Sequence, residues 1–280
     1  MRAVITLRKA EIQVDDEFYT RYDDIDAELS MYKEQLKNKR VLMNFDNWRV
    51  SNFWKYLHKN FSTLGLKEIV ARGLATEHIG EIARYSGCND EDVNDCEVTY
   101  DLYDGDYKDE LGVALIKECD IVITNPAFSC KLELLELLTK HNKDYLIIIP
   151  LSSICNGIIL NNIKNNKARV GYNNVDRFEN TDKHVCCYWY TSLNVNKQLF
   201  IPTAHYEDIE HNRDDKDNIL IINKLADIPC DYFGKMYVPI TYANKHNKDI
   251  FSIIKKYSHC FLNGKNLFNR LLIQRCDNNI

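Results

Sequence analysis

The chain has 280 residues, 45% hydrophobic and 28% charged, with a formal net charge of −5. That length suits one large α/β domain or two small ones, and the composition is that of a folded globular protein. No apolar run reaches membrane-spanning length, Met1 to Ala10 lack the apolar core and cleavage site of a signal peptide, and the negative charge argues against a sequence-blind DNA coat, so an intracellular protein is expected.

From the N-terminus, Asp15 to Arg21 is polar and turn-like around Phe18-Tyr19-Thr20, an arrangement that also fits an aromatic staple before a helix. Asp23 or Asp24 is expected to cap that helix, with Ile25, Leu29, Tyr32 and Leu36 on its inner face. Val41 to Phe45 reads as the first core strand. It runs into the polar turn Asn44-Phe45-Asp46-Asn47, and Ser51 caps a second helix whose apolar face is Phe53, Trp54, Leu57 and Phe61, ended by Gly65. A strand, a polar turn and a helix start offer free N–H groups to a carboxylate or phosphate. There is no Gly-x-Gly here, so the dinucleotide fingerprint is absent. Leu66 to Arg72 reads as a second strand, Gly73 to Tyr85 as a short helix and Ser86 to Asp95 as an acidic loop. Alternating Val98, Tyr100 and Leu102 predict a third strand over 97–103, followed by Asp104-Gly105-Asp106.

The stretch Asp120 to Phe128 has the densest chemistry. Ile121, Val122 and Ile123 form a β-branched run, and Asn125-Pro126 ends it because proline has no N–H for a sheet. The mouth of a parallel sheet is where ligands bind in open α/β folds. The Asn125 side-chain oxygen and the Pro126 carbonyl can each accept an N–H of an exocyclic amine, and Phe128 can stack on the base. Taken alone, these residues favour an ordinary strand ending in an Asn-Pro turn.

Beyond it, Lys131 to Lys140 predicts a helix with Leu132, Leu135 and Leu138 inward, and Tyr145 to Ile149 a strand closed by Pro150. Leu151 to Lys167 is Asn-rich, with room for a short helix. Arg169 to Tyr172 and His184 to Thr191 read as late strands that supply an antiparallel edge. Strand and helix alternate, which implies a mostly parallel sheet. After Pro202, Asn218 to Asn223, Met236 to Tyr242 and Leu267 to Gln274 read as strands. Asn247 to Tyr257 reads as a helix with Ile250, Ile253 and Ile254 inward, and His205 to Asp217 as a charged, mobile loop. Ten cysteines without any Cys-x-x-Cys pair predict buried thiols and no structural zinc.

Four segments in order carry a resemblance: Asp16 to Thr20, Asn44 to Trp54, Asp120 to Ser129 (with Asn-Pro-Ala-Phe at 125–128) and Asp227 to Thr241. Together they resemble the EcoRI-type family of adenine-specific DNA methyltransferases. The departure is Ala127, where that family has a second proline. The resemblance implies a Rossmann-like, class I fold with helices on both faces of the sheet, S-adenosylmethionine as methyl donor, no metal, and double-stranded DNA as partner. It implies that Phe18, Tyr19, Thr20, Asn44, Asp46 and Ser51 surround the donor, with Asp46 toward its amino group and Asp106 toward its adenine amine. Asn125, Pro126 and Phe128 would handle the target base. One domain is expected over 1–280, with a donor-binding core at 15–200 and an extension at 201–280 for DNA-recognition elements. Two sets of basic residues, Lys164, Lys167, Arg169 and Arg177, and Lys235, Lys245, Lys255 and Lys256, are candidates for phosphate contacts. A methyltransferase of another amine (an RNA base or a protein Gln/Asn), or a non-catalytic binder whose loop has decayed at Ala127, are the alternatives.

Overall fold

The computed structural model describes residues 18–73, 80–101, 103 and 105–276. These fall into two compact units, one running through Pro150 and including Val170–Val195, the other made of Leu151–Arg169 and the residues from Asn196 onward. Residues 16 and 17 of the first resembling segment lie outside the described residues.

In the first unit the elements, in chain order, are α1 (Tyr22–Leu29), α2 (Lys33–Leu36), β1 (Arg40–Met43), α3 (Asn52–Lys59), α4 (Phe61–Leu64), β2 (Glu68–Arg72), β3 (Gly80–Tyr85), β4 (Glu97–Asp101), α5 (Glu110–Glu118), β5 (Ile121–Thr124), α6 (Lys131–Lys140), β6 (Asp144–Pro150), β7 (Arg169–Val175) and β8 (Cys187–Thr191). The strands form one eight-stranded sheet, ordered β4-β3-β2-β1-β5-β6-β8-β7. Its centre is parallel: β2 with β1, β1 with β5, β5 with β6. Its flanks are antiparallel, with β3 on β2, β4 on β3 and β8 on β6. Helices cover both faces, the Rossmann-like arrangement of class I methyltransferases. Along the central strands both sets of alternate residues are buried: Val41, Met43, Ile69, Ala71, Ile121 and Ile123 in one set, Leu42, Val70 and Val122 in the other. The first set packs on Ile25, Leu29, Tyr32, Leu36, Phe53, Trp54 and Leu57, the inner faces of the leading helices.

The two late strands are present at one side of the sheet, β8 antiparallel to β6 and β7 outermost beyond it. Of the helix expected over 73–85, residues 74–79 lie outside the described residues and Gly80–Tyr85 is instead a strand paired with both β2 and β4. Ile82, Ala83 and Tyr85 are buried there, and that burial outweighs any helical preference. The third strand forms, but Val98 and Tyr100 are 38% and 74% exposed, because β4 is the outermost strand. Arg21, not Asp23 or Asp24, occupies the cap position of α1, and both aspartates sit in its first turn, where they favour the helix dipole. In α6 the inward leucines are Leu134, Leu135 and Leu138, with Leu132 half-buried.

The second unit contains α7 (Gly157–Lys164), β9 (Leu220–Ile221), β10 (Lys235–Pro239), β11 (Phe251–Tyr257), β12 (Phe261–Leu262), β13 (Lys265–Asn266) and β14 (Arg270–Arg275). Four of these strands form a sheet in the order β11-β14-β10-β9, and β12 and β13 form a hairpin. The helix expected over 247–257 is the strand β11. A bulge between Ile253 and Lys255 shifts its register against β14. Spacing of three and four among Ile250, Ile253 and Ile254 therefore imitated a helical face. The charged segment 205–217 is tied down by Asp214, 3% exposed, whose carboxylate accepts backbone N–H groups of Lys216, Asp217 and Phe261 at 3.0, 2.9 and 2.7 Å. All ten cysteines are unpaired thiols. Among the described residues no helix is long and apolar enough to cross a membrane.

Candidate active site

Strands β1 and β5 are parallel neighbours, so the turn after Met43 and the loop after Thr124 open side by side. Between them lies a cleft lined by Phe18, Tyr19, Thr20, Phe45, Asp46, Asn47, Val50, Ser51, Asn52, Phe53 and Asn125. Six of the ten residues singled out from the sequence line it: Phe18, Tyr19, Thr20, Asp46, Ser51 and Asn125.

One side of the cleft is organised by a carboxylate. Asp46 accepts hydrogen bonds from the Ser51 hydroxyl and the Thr124 hydroxyl, each at 2.7 Å. Burial pushes its carboxyl up to about 6, with the two hydroxyls pulling the other way. Ser51 caps α3 as expected, its Oγ accepting from the N–H groups of Phe53 and Trp54 at 3.1 and 3.4 Å. This changes the chemistry read from the sequence. Two of the first N–H groups of the helix are already satisfied, and a carboxylate stands beside them, so the turn suits a cation better than an anion. Glu81 of β3 braces the same turn, accepting from Trp48 Nε1 at 3.0 Å and from two guanidinium nitrogens of Arg49 at 3.0 and 2.9 Å.

The other side is the loop after β5. Asn125 Nδ2 donates to the Phe18 carbonyl at 2.5 Å, while Asn125 Oδ1 is buried with no hydrogen-bond partner. The Phe128 ring, expected to offer its face to a base, stacks on Phe18, with centroids 4.9 Å apart and planes inclined by 25°. Phe18 in turn packs on Phe178 at 5.0 Å. Ala127 is 6% exposed, so its methyl is buried where the resembling family has a proline ring. Lys131 Nζ caps the Phe128 carbonyl.

Segment 18–20 lines the cleft and is held at several points. Tyr19 N–H donates to Asn180 Oδ1 at 2.9 Å, Glu179 N–H to the Tyr19 carbonyl at 2.8 Å, and Asn52 Nδ2 to the Thr20 carbonyl at 2.9 Å. Thr20 Oγ1, 3% exposed at the residue level, has no partner. Asn44, also 3% exposed, follows the last residue of β1, and neither atom of its amide is bonded. Thr20 Oγ1 and Asn125 Oδ1 are thus buried, unpartnered polar atoms of cleft-lining residues, each carrying a cost that a bound polar ligand would remove, whereas Asn44 adjoins the lining residue Phe45 without lining the cleft itself.

Asp106 does not line the cleft. Its carboxylate accepts from the Lys108 N–H at 3.0 Å, an ordinary turn bond, and its carbonyl accepts from Arg72 Nη1 at 2.9 Å. Its neighbour Tyr107 does reach the cleft wall, packing on Phe45 at 4.9 Å. Arg72 was missed from the sequence. It is 1% exposed and also bonds Asp101 at 2.7 Å and Asp109 at 2.6 Å, so one buried guanidinium gathers the end of β4, the Asp106 turn and the cap of α5. A lone arginine closing a β-branched strand was the available signal.

Of the basic residues considered for phosphate, Lys164 donates to the Ile254 carbonyl at 3.1 Å, and Lys167, Lys235, Lys245, Lys255 and Lys256 are exposed. Arg177 lines an open cavity of about 720 Å³ in the first unit, together with Arg21, Phe178 and His184, but also with Asp23, Glu179 and Asp182.

Comparison with known proteins places these features in context. The family model described as "Adenine-specific methyltransferase EcoRI" matches residues 6–185 and 174–270. Type II methyltransferase M.EcoRI of Escherichia coli is 32% identical, covering 96% of this chain and 95% of that protein. Type II methyltransferases M.MgeORF184P of Mycoplasma genitalium and M.MpnI of Mycoplasma pneumoniae are each 27% identical, covering 88% of this chain and 84% of theirs. No solved structure matches.

Proposed function

The chain belongs to the EcoRI-type family of adenine-specific methyltransferases and is a DNA methyltransferase of the Type II, restriction-modification kind; from this we propose that it methylates adenine N6 in double-stranded DNA, with S-adenosylmethionine as donor. The observation that carries the reading is the Asn125 amide, whose NH₂ is occupied by the Phe18 carbonyl and whose buried oxygen is open. That oxygen is an acceptor awaiting a donor, which is what an exocyclic amine supplies.

The residues present fit the donor. Asp46, with its carboxyl near 6, is ionised at neutral pH and suits the donor's ammonium. Unpartnered Thr20 Oγ1 and Asn44 suit its polar groups. When bound, S-adenosylmethionine supplies a methyl group on a sulfonium, a leaving group that needs no protein acid. An aromatic amine is a weak nucleophile because its lone pair is delocalised into the ring. Asn125 Oδ1 and the Pro126 carbonyl would each accept one N–H, turning the lone pair out of the ring and toward the methyl carbon for in-line transfer. The surplus amine proton then leaves to solvent. Positioning and fixed acceptors supply the catalysis.

An adenine within a duplex cannot reach a cleft at a sheet edge, so the base is flipped out, which costs a few kcal/mol. Phe128 is the stacking surface in this proposal, an interaction typically worth ~1–3 kcal/mol per base. For the base to use the face now covered by Phe18, that ring must move aside.

The deciding experiment is methylation of unmodified genomic DNA followed by base-level mapping, with RNA and protein substrates in parallel. Label at adenine N6 of duplex DNA, falling steeply with salt as phosphate contacts release counterions, is expected. Label in RNA or protein alone would sink the proposal. No transfer from the wild type or from Ala127→Pro would favour a decayed binder.

A further inference from the structure

A second cluster of reactive side chains lies in the unit formed by 151–169 and 196 onward. His205 Nδ1, Cys230 Sγ and a carboxylate oxygen of Asp231 all lie within 4.8 Å of one another. The nitrogen is 3.3 Å from Asp231 Oδ2 and 3.9 Å from Cys230 Sγ. Tetrahedral zinc, bound at about 2.0 Å to nitrogen and oxygen and about 2.3 Å to sulfur, sets ligand atoms about 3.3 Å (N to O) and about 3.5 Å (N to S) apart. The first separation already matches, the second needs a few tenths of an ångström, and the sulfur-to-oxygen separation, within 4.8 Å, must close to about 3.5 Å.

The surroundings hold these groups in register. Asp231 Oδ1 accepts the Tyr206 N–H at 2.7 Å, which fixes the carboxylate and leaves Oδ2 toward the imidazole. Such support of a ligand's second oxygen is the usual companion of a metal site. The Cys230 N–H donates to the Ala204 carbonyl at 2.8 Å, and Ala204 and Pro229 form a parallel bridge, so the segments carrying the ligands are stitched together beside them. Tyr206 and Tyr232, which follow His205 and Asp231 in the chain, stack at 4.8 Å with planes inclined by 11°.

We propose that His205, Cys230 and Asp231 bind a divalent cation of the borderline-soft class, zinc foremost. One nitrogen, one thiolate and one carboxylate select that class over magnesium or calcium, which take oxygen. Binding displaces the Cys230 thiol proton to solvent, while the neutral imidazole coordinates through Nδ1 and carries its one ring proton on Nε2. Thiolate, carboxylate and neutral imidazole around a dication make a site of net charge zero. Three protein ligands leave a fourth position for water. The ion would staple His205 to Cys230 and Asp231 and close the charged segment between them. The absence of any Cys-x-x-Cys pair predicts no structural zinc; here two ligands are neighbours and the third is distant in sequence, and the fold brings them together.

The test uses the full chain, stripped with a chelator and titrated with cobalt(II) and then zinc. One cobalt per chain is expected, with a sulfur-to-cobalt charge-transfer band that zinc bleaches and that Cys230→Ser abolishes. His205→Ala should weaken binding at least tenfold. On the unmutated protein, zinc should protect Cys230 from alkylation, read peptide by peptide, while the exposed thiols Cys88 and Cys186 stay reactive. Cys230 alkylating as fast with zinc as without, or a charge-transfer band that survives Cys230→Ser, would overturn the assignment.

Discussion

Replacing Asn125 by aspartate is nearly isosteric, yet the geometry predicts a large and pH-dependent loss. Asn125 Nδ2 donates to the Phe18 carbonyl at 2.5 Å. An ionised aspartate would set an oxygen against that carbonyl, with no proton between them. The Phe18 carbonyl loses its donor, a penalty of about 1–3 kcal/mol, and the side chain turns or segment 18–20 withdraws. Either response misplaces the acceptor for the amine, and one lost acceptor in an active site typically costs ~100- to 1,000-fold in rate. Protonation reverses this: a carboxylic acid can donate to the Phe18 carbonyl and still present its other oxygen as acceptor. Single-turnover methyl transfer to duplex DNA, at saturating S-adenosylmethionine, should therefore find Asn125→Asp slow at pH 8 and faster as the pH falls. Asn125→Ala should be slow throughout, with donor binding retained. Wild-type rates for Asn125→Asp at pH 8, or a deficit that ignores pH, would refute the idea that the Phe18 carbonyl orients this amide.

Asp46 should make donor affinity rise with pH through about 6, and Asp46→Asn should weaken binding and flatten that dependence in calorimetry. The same raised carboxyl has a stability consequence: its burial costs nothing below its ordinary value of 3.8 and is fully felt above about 6, so wild-type stability relative to Asp46→Asn should fall across that window in thermal melts. Arg72→Ala leaves Asp101 buried without its partner, so urea denaturation should register a loss of about 3–5 kcal/mol. Ala127→Pro should speed methyl transfer with little change in donor affinity, because proline fixes φ in the loop that carries the Pro126 carbonyl and Phe128; a slower enzyme would mean that the buried Ala127 site has no room for the ring.

What the sequence revealed was mostly local. The Ser51 cap, Gly65 at the end of α4 with φ of 63°, the bounds of α6 and the strand entering Asn125-Pro126 each depend on a few adjacent residues. The bonds that build the cleft do not: Thr124 reaches Asp46 across 78 positions, and Asn125 reaches Phe18 across 107. Thr124 is simply a polar end to an apolar strand until β1 is known to be its neighbour. Errors of element type arose where pairing overrode pattern, at β3, held between two strands, and at β11, where a bulge broke the alternation. The helix start at Ser51 is legible in the sequence, but the charge beside it is not, since nothing in the linear order says that Asp46 folds back onto the cap.

That folded-back aspartate bears on which metabolites the cleft admits. Many proteins use a strand, a turn and a helix start to hold the phosphates of ATP or a dinucleotide, and cells contain such nucleotides in large amounts. Here the hydrogen bonds run one way, from the helix N–H groups to Ser51 and from Ser51 to a carboxylate. A polyphosphate arriving at this end would find the N–H groups occupied and a like charge facing it. An adenosine whose appendage carries a sulfonium, an ammonium and a single carboxylate is net positive and could turn its ammonium to this end. Adenosine itself cannot distinguish the two classes, so on the proposed reading the turn would act as a charge filter, with discrimination resting on a single side chain.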